Sequence, residues 1–321
     1  MDSIKGMLIL LVVLGHCLEV TSNEGIMRIG YNIIYSFHMP LFVFVSGYFT
    51  NLQKDRKKYF VSVLNLLLIY CIFQVLKSIP EIGNLKDIML VPQWTLWYIL
   101  SLVYWRVLFY VINRWLSRKV NLKLVVLFFV VSVACGYLPL AYMLSIQRTL
   151  FFSFPFVIGL FFREKQYIHL IYNTNRSIVI VSLLLSILGI YLLNDRDVNW
   201  ILYGTCFYKS WPISLEFCPL LRIAQIALAI MVSIVFLKFC PVKNCLVKIG
   251  NSTLFIYIYH SFVVSGLKLM DFKFNDFIIL FVSLVIIFTS LYVLNKIPVL
   301  HYLINPVNSI QRILAVRTVK M

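Results

Sequence analysis

The chain has 321 residues, of which 61% are hydrophobic and 13% charged, with a formal net charge of +17 and a mean hydropathy of +0.91. A soluble globule of this composition would leave too much apolar surface in water, so the natural solvent is lipid. The basic residues stand in short clusters between apolar runs, a pattern that suits membrane topology and anionic lipid headgroups and excludes nucleic acid as the partner.

A helix crosses a hydrocarbon core of ~30 Å at ~1.5 Å per residue, so segments near 20 residues are sought. Ten are found: 4–20, 29–49, 59–79, 95–113, 122–141, 147–162, 177–194, 219–239, 249–267 and 275–295. The expected fold is an all-α, polytopic integral membrane helix bundle, with a membrane domain over 1–296 and a tail over 297–321. The first run lacks a basic leader and a small-residue cleavage site, and it reads as a retained span. No repeat of fixed period is evident, which counts against an inverted-repeat carrier.

Ten spans put both termini on one side. The loops and ends on that side hold 19 of the 29 basic residues, including Lys5, Lys54, Arg56, Lys57, Lys58, Arg118, Lys243, Arg312, Arg317 and Lys320. The opposite loops hold nine, among them Lys86, Arg148, Arg196, Arg222, Lys268 and Lys273, with Arg106 left inside a span. By the positive-inside rule the termini are cytoplasmic, in a cell membrane and most simply a bacterial plasma membrane.

The first span begins Asp2-Ser3-Ile4-Lys5-Gly6 and carries His16 eleven residues after Lys5, then Glu19. Eleven steps of ~100° return His16 to within about 20° of Lys5, and ~1.5 Å per residue places it roughly 16 Å further along, near mid-membrane. A cation at the mouth and an imidazole deeper on the same stripe suit a long anionic cofactor whose reactive end enters the membrane. Imidazole is suited to take a proton from an attacking hydroxyl. The other reading of His16 and Glu19 is a hydrogen-bonded pair that fixes helix packing.

The second span places Tyr31, Tyr35, His38 and Phe42 on one face, with Pro40 expected to kink the helix just beyond His38. Trp94 and Trp97 read as an aromatic belt at the fourth span, and Arg148, opening the sixth, as a substrate contact or a side chain that snorkels to the interface. Residues 195–218 read as a loop whose Trp200 and Trp211 rest at the membrane interface, or as a re-entrant segment. In the ninth span Asn251 or Ser252 is expected to cap the helix, and His260 reaches a depth comparable to His16 and His38. The seven cysteines read as free buried thiols, and Cys240 and Cys245 lack the histidines a zinc site needs, so no metal is expected.

Several of these segments together resemble the acyltransferase-3 family of membrane O-acyltransferases, and most closely its fucose 4-O-acetylase-like branch. The segments are DSIKG (Asp2 to Gly6) with His16, FHMPLFVFVSGY (Phe37 to Tyr48), WTLWY (Trp94 to Tyr98), RTLFFSFPFVIG (Arg148 to Gly159) and IGNSTLFIYIYH (Ile249 to His260). The likeness runs in order from Asp2 to about Tyr292. It implies transfer of an acyl group, usually acetyl from acetyl-CoA, to a sugar of a surface polysaccharide or a lipid-linked intermediate. It maps the family's catalytic histidine to His16 and its cofactor-binding basic residues to Lys5, Arg56, Lys57 and Lys58. Many relatives carry arginine at the positions of Lys5 and the 57–58 run, and lysine replaces a bidentate fork with a point charge.

Two functions remain open at this stage. The first is an O-acyltransferase with acyl-CoA as donor substrate and no tightly bound cofactor; His16 acts as base, Glu19 orients it, and His38, Arg148 and His260 face the acceptor. The second is a carrier for polysaccharide or a small solute, with the same polar residues lining a path.

Overall fold

The computed structural model describes residues 1–22, 24–79, 90–114, 119–194, 199–270, 272, 274–307 and 309. Lys86, Arg118, Arg196, Lys273 and the tail beyond 309 lie outside the described residues. What is described is all-helical, at 79% helix with no strand. In chain order the helices are α1 (Asp2–Leu18), α2 (Gly25–Phe49), α3 (Arg56–Ser78), α4 (Trp97–Arg114), α5 (Leu122–Ala134), α6 (Ile146–Phe151), α7 (Ser153–Lys165), α8 (Ile168–Tyr172), α9 (Arg176–Asn194), α10 (Asn199–Leu202), α11 (Cys218–Phe239), α12 (Asn244–Asn251), α13 (Thr253–Lys268), α14 (Asp276–Leu294) and α15 (Pro298–Leu303).

Each of the ten apolar segments contains an α-helix, although the one over 122–141 is α-helical only to Ala134 and is followed by a short 3-10 turn. By length and composition α2, α3, α11 and α14 are each able to cross a membrane, and a fifth path runs from Met143 through α6 and α7 with a bend of 53°. On α14 and α9, Phe277, Phe281, Leu184 and Leu192 are more than half exposed, an outward apolar surface that only lipid would solvate favourably.

Local sequence explains where these helices start. Asp55, Asn121 and Asn275 each accept a hydrogen bond from a backbone N–H of the first turn of α3, α5 and α14. The predicted kink at Pro40 does not break α2, which runs as one helix through it. The sharp bend falls at Phe152, between α6 and α7, where Pro155 occupies the first turn of α7 and its missing N–H would have had no helical partner anyway. The ninth segment is likewise two helices. Residues 244–251 form α12, and the chain turns at Ser252, whose hydroxyl does not cap α13; instead the Thr253 hydroxyl donates to the Gly250 carbonyl at 2.5 Å.

Two glycine contacts set the spacing of the bundle. An ideal Cβ on Gly6 of α1 would stand 2.0 Å from the Leu246 carbonyl oxygen of α12, and one on Gly250 would stand 2.2 Å from the Asp2 carbonyl oxygen. The same reciprocity joins α2 to α7, where an ideal Cβ on Gly47 would stand 2.1 Å from the Phe156 carbonyl oxygen and one on Gly159 2.1 Å from the Phe44 carbonyl oxygen. These pairs are backbone on backbone, the small-residue packing that holds helices together where lipid removes the hydrophobic drive.

The bundle has a basic end, carrying the start of α1 and α3 and the end of α2, and a far end, where α1 finishes beside the ends of α3 and α13. At the basic end the first part of the predicted tail folds back. The Tyr259 hydroxyl donates to the Leu300 carbonyl at 3.0 Å, the Asn65 amide to the Ile304 carbonyl at 3.5 Å, and Ile304 is buried.

Gly6→Leu and Gly250→Leu are expected to push α1 off α12 and destabilise the protein by about 1–3 kcal/mol or more. Gly266 of α13 meets nothing within 4 Å. Gly266→Ala is therefore expected to be neutral or stabilising by up to ~1 kcal/mol through helix propensity. Thermal unfolding in detergent checks the pair of signs; equal loss at all three positions would contradict the packing assigned to Gly6 and Gly250.

Candidate active site

At the far end a cavity of about 570 Å³ opens among α1, α2, the 91–97 segment, α6 and the turn after α10. Its lining includes His16, Glu19, Tyr35, His38, Trp94 and Arg148. His16 lies in the last turn of α1, with Glu19 as the residue that ends the helix. The imidazole thus faces a cavity at the end of its helix, eleven residues beyond Lys5 on the same helix. The helix stops there because the chain turns toward Lys268 on α13, whose ammonium donates to Glu19 Oε2 at 2.6 Å.

Glu19 is the hub of this end. Its Oε1 is 3.1 Å from His16 Nδ1 and also accepts from the Tyr35 hydroxyl, which itself lies 3.0 Å from the same Nδ1. A carboxylate only accepts, so the ring proton of neutral His16 belongs on Nδ1 and Nε2 is left with a free lone pair. Nε2 has no hydrogen-bond partner among the described residues. The pairing of His16 with Glu19, expected from their spacing, is present, and so is the stripe of Tyr31, Tyr35 and His38, which turns toward α1.

The other histidines behave in the same way. His38 and His260 are both buried, and each Nδ1–H donates to the carbonyl four residues earlier, Ile34 at 2.6 Å and Ile256 at 2.8 Å. His260 stacks on His16 with ring centres 5.4 Å apart, and its Nε2 is buried without a partner among the described residues. The structure therefore brings His16, Glu19, His38 and Arg148 around one cavity and sets His260 behind His16. His169 and His301 are exposed and remote from this cavity.

Of the two readings of Arg148 the structure keeps the one that faces the cavity, and it moves Trp94 and Trp211 from the positions expected for them. Trp94 is not a belt residue: its ring stands 4.4 Å from that of His16, edge to face, with the Lys268 ammonium 4.2 Å from its centre. Arg148 does not snorkel outward. Its Nε donates to the Tyr203 carbonyl at 3.2 Å, and its guanidinium lies 5.0 Å from the Trp97 ring and 5.5 Å from that of Tyr142. Trp211 leaves the interface position expected for it and is buried over Arg222, whose Nη1 donates to the Ile201 carbonyl and to Gln225 Oε1, each at 2.9 Å. Arg222 thereby ties the segment carrying Tyr203 to α11.

The predicted cofactor residues lie at the opposite end. Lys57 and Lys58, in the first turn of α3, line a cavity of about 540 Å³ together with Lys54, Asn65, Arg106 and Asn305. Arg56 is exposed beside them and does not line it. Lys5 stands apart on α1, paired with Asp2 at 2.7 Å and with its ammonium 4.2 Å from the Phe49 ring centre. Arg106 was noted in the sequence only as a cation left within a span; it is the one arginine of the basic cavity, and its Nε is buried without a partner among the described residues.

A model of the acyltransferase domain of the acyltransferase-3 family matches residues 1–295. No curated protein and no solved structure matches the chain. The match covers the far cavity, the basic cavity apart from Asn305 and all four helix-packing glycines, and members of the family transfer acyl groups. With its apolar helices and a histidine-lined cavity at the end of α1, the chain belongs to the acyltransferase-3 family of membrane acyltransferases.

Proposed function

We propose that the protein is a membrane O-acyltransferase that moves an acetyl group from cytosolic acetyl-CoA to a carbohydrate hydroxyl, with His16 as general base. The observation that carries this reading is the contact of Glu19 Oε1 and the Tyr35 hydroxyl with His16 Nδ1, which leaves Nε2 without a described partner at the cavity. The acceptor hydroxyl gives its proton to Nε2 as its oxygen bonds to the acyl carbon. The carbon–sulfur bond then breaks, and the imidazolium returns the proton to the leaving thiolate. Glu19 stabilises the imidazolium during the exchange. Direct transfer is preferred to an acyl-enzyme because no cysteine or serine lines the cavity among the described residues.

The donor enters at the basic end, where Lys5, Arg56, Lys57 and Lys58 hold its phosphates, and its arm runs along the bundle toward His16. Eleven helical rises, roughly 16 Å, separate Lys5 from His16, a span suited to a pantetheine arm. The aromatic walls of the far cavity, Trp94, Trp97, Tyr142 and Tyr257, suit the apolar faces of a sugar from a surface polysaccharide or a lipid-linked precursor, as in the fucose 4-O-acetylase-like branch. In this reading ten helices cross the bilayer, both termini are cytoplasmic, and residues 297–321 form the cytoplasmic tail.

Mass spectrometry of the surface glycan with and without the protein tests the reaction: an acetyl group that disappears with the protein supports it, and an unchanged glycan contradicts it. Topology has its own test. In a background freed of native cysteines, cysteines at positions 54, 119 and 243 should resist an impermeant thiol reagent in intact cells, while those at 209 and 272 should react. Labelling at 54 or 119 would reverse the donor face. Charge reversal by Lys57→Glu with Lys58→Glu should raise the KM for acetyl-CoA about tenfold or more and change kcat much less, since the phosphates they hold do not change during chemistry. A lowered kcat at unchanged KM would remove them from the donor site.

A further inference from the structure

The cations of the far end are not equivalent. Lys268 is matched by the Glu19 carboxylate at 2.6 Å. Arg222 is enclosed by Phe151 and Trp211 and gives Nη1 to two oxygens. Arg148 has neither arrangement: only its Nε is engaged, its Nη groups make no hydrogen bond to a described residue, and it takes part in none of the ion pairs among the described residues. Yet it lines the cavity that contains His16. Its guanidinium is held between Trp97 and Tyr142, with Nε fixed by the Tyr203 carbonyl, so the fork is positioned before any ligand arrives.

Arg148 is half-buried, and its two open Nη groups face the cavity, an arrangement that an anion completes best. The carboxylate of the same cavity cannot do so, because Glu19 is already shared by Lys268, His16 and Tyr35. Planar, bidentate recognition of a carboxylate or a phosphate is what arginine does better than lysine. The negative charge therefore comes with the substrate. The donor's phosphates belong at the basic end, so the charge belongs to the acceptor.

We infer that the acceptor is an anionic carbohydrate, whose carboxylate or phosphate is gripped by Arg148 while a nearby hydroxyl is presented to His16. This rests on the acyltransfer reading and narrows its acceptor. The shared chemistry is a tetrahedral or planar oxyanion, from an acidic sugar or from the diphosphate of a lipid-linked precursor.

The test uses acceptor glycan purified from cells that lack the protein, in three forms: intact, with its carboxylates reduced to alcohols, and with its lipid diphosphate removed by mild acid. Purified full-length protein and acetyl-CoA supply the rest. The intact acceptor should be used with a kcat/KM about tenfold to hundredfold above that of whichever treated form has lost the recognised anion, which identifies the source. Arg148→Gln should erase that ratio by raising the acceptor KM for the intact form, and Arg148→Lys should restore part of it. Two results would overturn the inference: equal transfer to all three forms, or an Arg148→Gln defect that is the same on all of them, as a role at the acyl carbonyl or in folding would give. A wild-type protein that acetylates none of them would instead contradict the acyltransfer reading itself.

Discussion

Four backbone-to-backbone contacts fix where everything else in this bundle can stand. Gly6 and Gly250 let α1 lie directly on α12, and Gly47 and Gly159 do the same for α2 and α7. In lipid, apolar side chains gain little by touching one another, so contact between helix backbones, with nothing in between, supplies much of the specificity of packing. Once α1 is seated at the basic end, its last turn is carried a fixed distance to the far end, and His16 with it. There Glu19 closes the helix against Lys268 of α13, the same unit whose other half bears Gly250. The histidine is thus held at both ends of its helix by the 244–268 segment.

That arrangement has an electrostatic result. One carboxylate serves an imidazole, a phenol and an ammonium, and the ammonium in turn covers the tryptophan that backs the imidazole. Polar groups within a membrane protein are costly unless they satisfy one another, and the bonds about Glu19 do so while leaving His16 Nε2 available at the cavity. His260 stacks behind His16 with its own Nδ1 committed to the backbone, so the two rings are kept parallel without competing for the same proton.

The helical segments were legible because hydropathy at near 20-residue length is a strong signal, and α1 was legible because Lys5, His16 and Glu19 share one stripe. The glycines were present in the quoted segments, though their packing role needed the partner backbones to be seen. What could not be read was long-range. Trp94 and Tyr203 come from separate turns and Lys268 from the last turn of α13, and Trp94 and Lys268 have innocuous local explanations as belt and loop charge. Only the inward folding of those turns makes them part of the site. Arg222 and Arg106 were counted as charges for topology, whereas one is a buried clasp and the other part of a basic cavity.

The account rests on His16 doing chemistry and not merely packing. The most direct measurement is turnover per folded molecule of His16→Ala against wild type, with melting temperature in detergent and coenzyme A binding taken on the same preparation and with His169→Ala and His301→Ala as exposed controls. The account predicts loss of about 10²- to 10⁴-fold in acyl transfer with folding and coenzyme A binding retained, and controls that remain active. Near-normal turnover by folded His16→Ala, or a loss accounted for by unfolding alone, would contradict it.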